Sequence, residues 1–115
     1  MGWDIEYYQT EKGRFPAAEF IDSLDTKSRV KIARTLDLLQ QFGIDLGTPY
    51  TKYLEEQLWE LRTQYGRSRY RIIYFLASAH TFVVLHGFTK KSGPVPRRDI
   101  EVAKIRRDDY LSRRR

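Results

Sequence analysis

Three runs of strand-forming residues constrain the fold of this chain most strongly. Leu58–Arg62, Arg69–Leu76 and Thr81–Phe88 are rich in aromatic and β-branched side chains. Such runs, separated by short turn-like segments, are typical of consecutive antiparallel strands. Because side chains alternate between the two faces of a strand, Arg71 shares a face with Arg69 in a run that otherwise forms core. A buried arginine is costly unless it has a partner. The pattern therefore predicts a sheet that carries a basic site.

The first part of the chain predicts one strand and two helices. Trp3, Ile5 and Tyr7 alternate with more polar residues, which predicts a half-buried strand over residues 3–7. Apolar residues at helical spacing predict a short helix over residues 17–24 and a longer one over residues 26–42. For the longer helix we expect Asp25 to be the N-cap and Gly43 the stop.

The remaining segments complete the predicted order of elements. Residues 43–57 contain glycine and proline and predict a loop between helix and sheet. Pro96 can open a last helix that ends near Arg113. The order is strand, two helices, three strands and helix. It predicts one α+β domain over residues 1–115, with helices packed on a small antiparallel sheet.

Composition excludes several classes of protein. No apolar run approaches the ~20 residues of a membrane-spanning helix, and the amino terminus resembles no signal peptide. The chain has no cysteine, which excludes thiolate chemistry and is compatible with the reducing cytoplasm, where we expect the protein. We expect His86 to be structural and His80 to lie at the surface, so a zinc site is not expected.

Positive charge is concentrated in the second half of the chain. Residues 1–57 carry seven Lys/Arg and ten Asp/Glu, whereas residues 58–115 carry fourteen and five. Such asymmetry is typical of a contact with nucleic acid or with an acidic protein. A basic surface that serves only solubility is the alternative.

Most catalytic motifs are absent, and a group of cations beside aromatic residues remains. The sequence has no cysteine nucleophile, glycine-rich phosphate loop, paired-histidine metal motif or nucleophile elbow, so we expect no metal and no cofactor. Arginine cannot act as an ordinary base, but it can bind a phosphate with two hydrogen bonds and stabilise developing charge. Cations and aromatic rings on a sheet suit single-stranded RNA. The candidate residues are Arg62, Arg69, Arg71, Lys90, Lys91, Tyr74 and Tyr110.

Each candidate also has a structural interpretation. Arg71 could be the ion-pair partner of Glu60, and Arg62 could merely line the sheet edge. Lys90 and Lys91 could form a solvated turn. Tyr74 could close the core instead of stacking on a base. The final arginines are typical of a flexible tail, although such tails also help to hold RNA: Arg113, Arg114 and Arg115.

Four segments in this order and spacing resemble a known family. They are Leu58–Arg62, Arg71–Tyr74, Leu85–Lys91 and Ala103–Tyr110. Together they resemble the HigB-like, phage-derived branch of the RelE/ParE toxin superfamily, and the similarity spans nearly the whole chain. The resemblance implies a small antiparallel sheet with two helices on one side and a carboxy-terminal helix.

The resemblance also implies the roles of individual residues. Arg71 stands where RelE-type toxins place a phosphate-stabilising arginine, and Arg62 lies near a position that supplies another basic residue. Lys91 stands where a second arginine often follows the last strand, and a lysine there offers only a point charge. Tyr110 is the counterpart of a tyrosine near the carboxy terminus of some relatives. The other residues expected to contact RNA or the ribosome are Arg69, Lys90, Tyr74, Arg113, Arg114 and Arg115.

Two functions remain open at this point. The resemblance implies ribosome-dependent cleavage of mRNA, blocked by a cognate helix-turn-helix antitoxin of the HigA type. The ParE branch of the same fold implies instead a non-nuclease toxin that inhibits a protein target such as DNA gyrase. Because fold alone does not decide function, the residues of the basic site must show which of the two functions the protein has. A relative without remaining activity is a third option.

Overall fold

The chain forms a five-stranded sheet with helices on both faces. The computed structural model describes residues 2–114. The predicted α+β class is confirmed. The strands are β1 (Asp4–Tyr7), β2 (Thr51–Glu55), β3 (Leu58–Tyr65), β4 (Ser68–Ser78) and β5 (Thr81–Lys90). The helices are α1 (Pro16–Asp22), α2 (Thr26–Phe42) and α3 (Arg97–Arg113), and a 3-10 turn follows α2 at Gly43–Asp45.

The sheet is mixed, which corrects the prediction of a wholly antiparallel one. Its strand order is β1-β5-β4-β3-β2, and β2 to β5 form an antiparallel meander. Strand β1 pairs with β5 in parallel, with Ile5 opposite Phe82. The two helices carry the chain from β1 at one edge to β2 at the other, so no hairpin ties the direction of β1 to its neighbour. The finer, RelE-like topology stays a prediction.

Strand β2 lies within the segment that the sequence predicts to be a loop, so that prediction was wrong for its second half. Thr51 pairs with Leu61, and β2 becomes the edge strand beside β3. The turn between β2 and β3 contains two non-glycine residues with positive φ, Glu56 (47°) and Gln57 (70°). Glycine and asparagine are usual at such positions, so the hairpin lacked its common signature. Helix α3 supports this turn, because Arg107 donates to the carbonyl of Glu56.

The boundaries of α2 agree with the prediction, and local interactions explain them. The carboxylate of Asp25 accepts a hydrogen bond from the Ser28 amide at 2.9 Å, as an N-cap does. Gly43 ends the helix with a φ of 57°. A Cβ at this position would lie 2.0 Å from the Trp3 ring. Only glycine therefore allows both the turn and the approach of the amino-terminal strand.

Helices cover the sheet on both faces, and one end of one face stays open. Helices α1 and α2 pack on one face around Ile32, Leu39 and Ile72. Helix α3 packs on the other face, against residues that include Ile73 and Phe75. Burial on both sides explains why β4 and β5 are nearly continuous apolar runs. Toward the β3–β4 hairpin, Arg62, Arg69 and Arg71 line an open cleft, in which the Arg71 side chain itself is only 6% exposed. Among residues 2–114, no helix combines the length and apolarity needed to cross a bilayer.

Candidate nucleic-acid interface

Two arginines lie side by side on adjacent strands of the α3 face of the sheet, toward the β3–β4 hairpin. Arg62 on β3 is directly opposite Arg71 on β4, and Arg71 is opposite Phe88 on β5. The backbone amide of Arg62 also donates to the carbonyl of Tyr50 at 2.7 Å, which places Tyr50 next to Arg62 on the other side. We call these four residues the arginine row. Two guanidinium groups lie between two aromatic residues, and the Arg62 side chain is 36% exposed whereas that of Arg71 is 6% exposed.

Further cations surround the arginine row because strand register aligns them. Arg69 pairs with Lys90 on one side of the row, and Lys52 pairs with Glu60 on the other. Directly opposite residues in a sheet point to the same face. We call the resulting set of five cations the cationic face: Lys52, Arg62, Arg69, Arg71 and Lys90.

One buried carboxylate lies beneath these cations. The side chain of Glu60 is 2% exposed, and its oxygens lie 3.3 Å from Arg62 Nε and 3.4 Å from Arg71 Nε. Arg71 Nη1 donates to the Tyr70 carbonyl at 3.1 Å. Glu60 Oε1 and Arg71 Nε have no hydrogen-bond partner within residues 2–114. The ion pair considered from the sequence is therefore present, but it is a contact of opposite charges rather than an aligned hydrogen bond.

Positive charge at the cationic face exceeds what Glu60 can balance. Burial lowers the pKa of Arg71; Glu60 opposes this shift, and Arg62 and Arg69 add to it. The pKa of Lys90 is also lowered, first by desolvation and then by Arg71 and Arg69. Crowded cations of this kind favour a bound anion, because an anion reduces their mutual repulsion. The arrangement can therefore hold a phosphate and stabilise extra negative charge on it.

His86 lies beside this site and is held in one tautomer. Its Nδ1 is 3.2 Å from Arg106 Nη1, and its Nε2 is 2.7 Å from Asp99 Oδ1. Arginine can only donate, so Nδ1 is the acceptor and Nε2 carries the hydrogen that Asp99 accepts. The ring also stacks on Phe88, with centroids 5.5 Å apart. These contacts agree with the expectation of a structural histidine that links α3 to β5.

The state of His86 should make stability depend on pH. Burial lowers its pKa; Asp99 opposes this shift and Arg106 adds to it. The contribution of neutral His86 to the free energy of unfolding should therefore be fully present above about pH 6.5, the usual histidine pKa. It should be lost as the pH falls through the lower pKa that His86 has in the folded state. In that window the unfolded chain binds a proton that the folded chain excludes. Urea unfolding across this range should show the loss, and His86→Gln should abolish it.

A matched control separates this effect from general acid sensitivity. His80 is exposed at the turn between β4 and β5. The His80→Gln protein should keep the pH dependence of the wild type. If His86→Gln and wild type change stability in parallel as pH falls, His86 does not cause the effect.

Of the other residues predicted for the site, Tyr74 and Tyr110 lie elsewhere, whereas Lys91 directly follows Lys90 of the cationic face. Lys91 is exposed directly after β5. Tyr74 is 3% exposed and packs edge-on against Phe82 on the α1/α2 face, and burial raises its pKa. Tyr110 on α3 packs against Phe75 on β4. Phe75 is four residues along β4 from Arg71, which corresponds to roughly 13 Å. The geometry does not bring Tyr74 or Tyr110 to the arginine row.

Arg113 and Arg114 also lie away from the cationic face. Arg113 pairs with Asp109 at 2.8 Å, and Arg114 pairs with Glu6 at 3.3 Å. Arg114 Nε also donates to the Tyr110 hydroxyl at 3.0 Å. These contacts tie the end of α3 to the region of β1. The remaining residue of this group, Arg115, lies outside the described residues.

Sequence reasoning missed Tyr50 and Lys52 as members of the site. Both belong to the segment that was predicted to be a loop. The signal that could have found them is the short run of strand-forming residues Tyr50–Leu54 after Pro49. Within residues 2–114, no three His, Asp or Glu side chains converge in a way that could hold a metal ion.

Fold and site together define a small α+β protein with a cationic sheet face. The sequence model of the family described as "Phage derived protein Gp49-like (DUF891)" matches residues 19–108. The chain therefore belongs to the Gp49-like family of phage-derived proteins. This is a RelE/ParE-like toxin family, associated with RelE-like toxins, which are endoribonucleases. No curated protein matches the sequence.

Proposed function

We propose that this protein is the toxin of a type II toxin–antitoxin system and cleaves mRNA on the ribosome, as expected for the HigB-like branch. The observation that carries the proposal is the arginine row, in which Arg62 and Arg71 lie side by side on an open sheet face. The Arg71 side chain is 6% exposed and lies against Glu60, whereas the Arg62 side chain is 36% exposed and can reach a ligand. Membership of a RelE/ParE-like toxin family supports the same function.

The chemistry that suits this site is transfer of a phosphoryl group within the RNA. The 2′-oxygen attacks the adjacent phosphorus, and the bond from phosphorus to the 5′-oxygen breaks. The products are a 2′,3′-cyclic phosphate and a 5′-hydroxyl. One proton leaves the attacking hydroxyl and one joins the leaving oxygen, so no further reactant is consumed. Arg62 and Arg71 bind the phosphate oxygens and stabilise the charge that develops on them.

Dependence on the ribosome follows from how the proton carriers are held. Glu60 is enclosed beneath the arginines, with 2% of its side chain exposed. His86 is fixed between Arg106 and Asp99. General acid–base catalysis needs a group within hydrogen-bond reach of the proton that moves. The proposal therefore assigns alignment of the reacting groups, and much of the proton transfer, to the ribosome and bound water.

The proposal includes the partners of such a toxin. They are the ribosome, its mRNA and a cognate helix-turn-helix antitoxin of the HigA type, with all of them in the cytoplasm. A folded antitoxin that covers the cationic face would block phosphate binding directly.

A second candidate function is favoured by an apolar surface on the opposite face. Ile44 is 69% exposed, and Trp59 is 38% exposed. They line one cleft together with Leu76, where the sheet extends past α2. Exposed apolar clusters of this kind are typical of protein–protein contacts. A ParE-like toxin could use this surface to bind and inhibit a protein target such as DNA gyrase.

Two variants on opposite faces distinguish these functions. Arg62 and Ile44 are both accessible, so Arg62→Ala and Ile44→Ser should leave the protein folded. If the protein cleaves mRNA, induction should stop incorporation of labelled methionine before DNA synthesis, and Arg62→Ala should relieve the arrest while Ile44→Ser does not. A DNA-damage response that precedes translational arrest, and that only Ile44→Ser relieves, would support the second function.

A further inference from the structure

An exposed aromatic ring stands at one end of the arginine row. Tyr50 lines a cleft of about 440 Å³ together with Arg62, Arg69 and Arg71. Tyr50 is 37% exposed, so the residue is accessible from solvent. The cleft therefore combines three cations with an accessible aromatic surface.

The backbone of Tyr50 is fixed although its ring is not enclosed by the core. Its amide donates to the Gly47 carbonyl at 3.0 Å, and its carbonyl accepts from the Arg62 amide at 2.7 Å. The next residue, Thr51, is opposite Leu61 and is the first residue of β2 that pairs with β3. An aromatic side chain on a fixed backbone offers a rigid surface for stacking at low entropic cost.

The position of Tyr50 relative to the arginines suits one nucleotide. Neighbouring strands lie ~4.8 Å apart, so Tyr50 is one strand spacing from Arg62 and two from Arg71, or roughly 10 Å. A base attached to a phosphate bound between the two guanidinium groups would thus lie within reach of the Tyr50 ring. Single-stranded RNA, whose bases are free to unstack, is the ligand that this pattern recognises.

We propose that Tyr50 is a base-stacking platform for the nucleotide beside the phosphate that Arg62 and Arg71 bind. This inference rests on the proposed function, because it names a subsite for the same RNA. Stacking depends on the ring and not on the hydroxyl, and it tolerates every base. Tyr50 therefore contributes affinity for RNA without selecting a particular codon.

Three substitutions at Tyr50 test the proposal. The measurement is the toxin concentration that gives half-maximal cleavage of mRNA on purified, programmed ribosomes. Tyr50→Ala should raise this concentration about 5- to 150-fold, the range for loss of one stacked base. Tyr50→Phe keeps the ring and should behave like the wild type. Tyr50→Leu keeps apolar bulk without the ring and should behave like Tyr50→Ala.

Tyr65 provides a matched control. It is also 37% exposed, and it lies on the opposite face near α2. Tyr65→Ala should leave cleavage unchanged. Full activity of Tyr50→Leu would overturn the proposal, because it would show that bulk and not stacking matters. If the wild type itself leaves ribosome-bound mRNA intact, the proposed function fails; if wild type and Tyr50→Ala cleave equally well, only the stacking proposal fails.

Discussion

Replacing Arg71 by lysine should lower the rate of mRNA cleavage on programmed ribosomes by about 10²- to 10³-fold, the usual effect of removing one preorganised donor to a developing charge. A lysine keeps a positive charge beside Glu60 but cannot offer two parallel hydrogen bonds to a phosphate. The variant should therefore stay folded and lose activity. Single-turnover cleavage rates at saturating toxin, together with thermal unfolding, measure the two properties separately.

Replacing Arg71 by alanine should affect stability as well as activity. Arg71→Ala removes one partner of a buried ion pair, a change that typically costs about 3–5 kcal/mol. Arg62 remains beside Glu60, which should reduce this cost. The double variant Arg71→Ala with Glu60→Gln removes both buried charges, so it should fold and yet be inactive. Arg67→Ala, in the exposed turn between β3 and β4, is the control that should keep full activity.

These variants separate the two interpretations of Arg71. A folded Arg71→Lys protein that cleaves at the wild-type rate would show that Arg71 serves only as the ion-pair partner of Glu60. A folded but inactive protein supports a direct role at the phosphate. Loss of folding in Arg71→Ala alone, restored by Glu60→Gln, would show that the residue supports the fold as well.

Purified protein should leave free mRNA essentially intact and should cut the same message when it is bound by translating ribosomes. The physical reason is that the cationic face can stabilise charge but cannot align a flexible strand. Near-attack geometry can account for roughly 7–11 kcal/mol of a barrier. An open sheet face with five cations would bind a phosphate from one side only, so a second surface must hold the RNA in line.

The experiment compares one labelled message in two states. Cleavage products are mapped with free mRNA, and then with ribosomes stalled at a known codon. The cuts should lie at the codon in the ribosomal A site and should move by three nucleotides when the stall moves by one codon. Efficient cleavage of free RNA at the same positions would contradict the argument. It would also indicate that Glu60 and His86 become accessible in solution and transfer the protons themselves.

Local sequence patterns determined the elements and the faces of the strands. The cap at Asp25 and the stop at Gly43 delimit α2 as predicted, because both act on neighbouring backbone groups. Period-two alternation placed Arg71 on the same face as Ile73 and Phe75, and the structure confirms it. The same alternation sets Tyr74 on the other face. These features need only a few residues of context.

Tertiary structure decided which residues meet across strands. The sequence alone did not show that Arg62 lies opposite Arg71, because register depends on turns and on long-range pairing. It predicted a loop where β2 forms, since the β2–β3 turn lacks glycine and is supported by α3, far away in the chain. The parallel pairing of β1 likewise follows from the path of two helices around the sheet. Propensity and periodicity report on neighbours in sequence, whereas the arginine row exists only because four separate segments pack side by side.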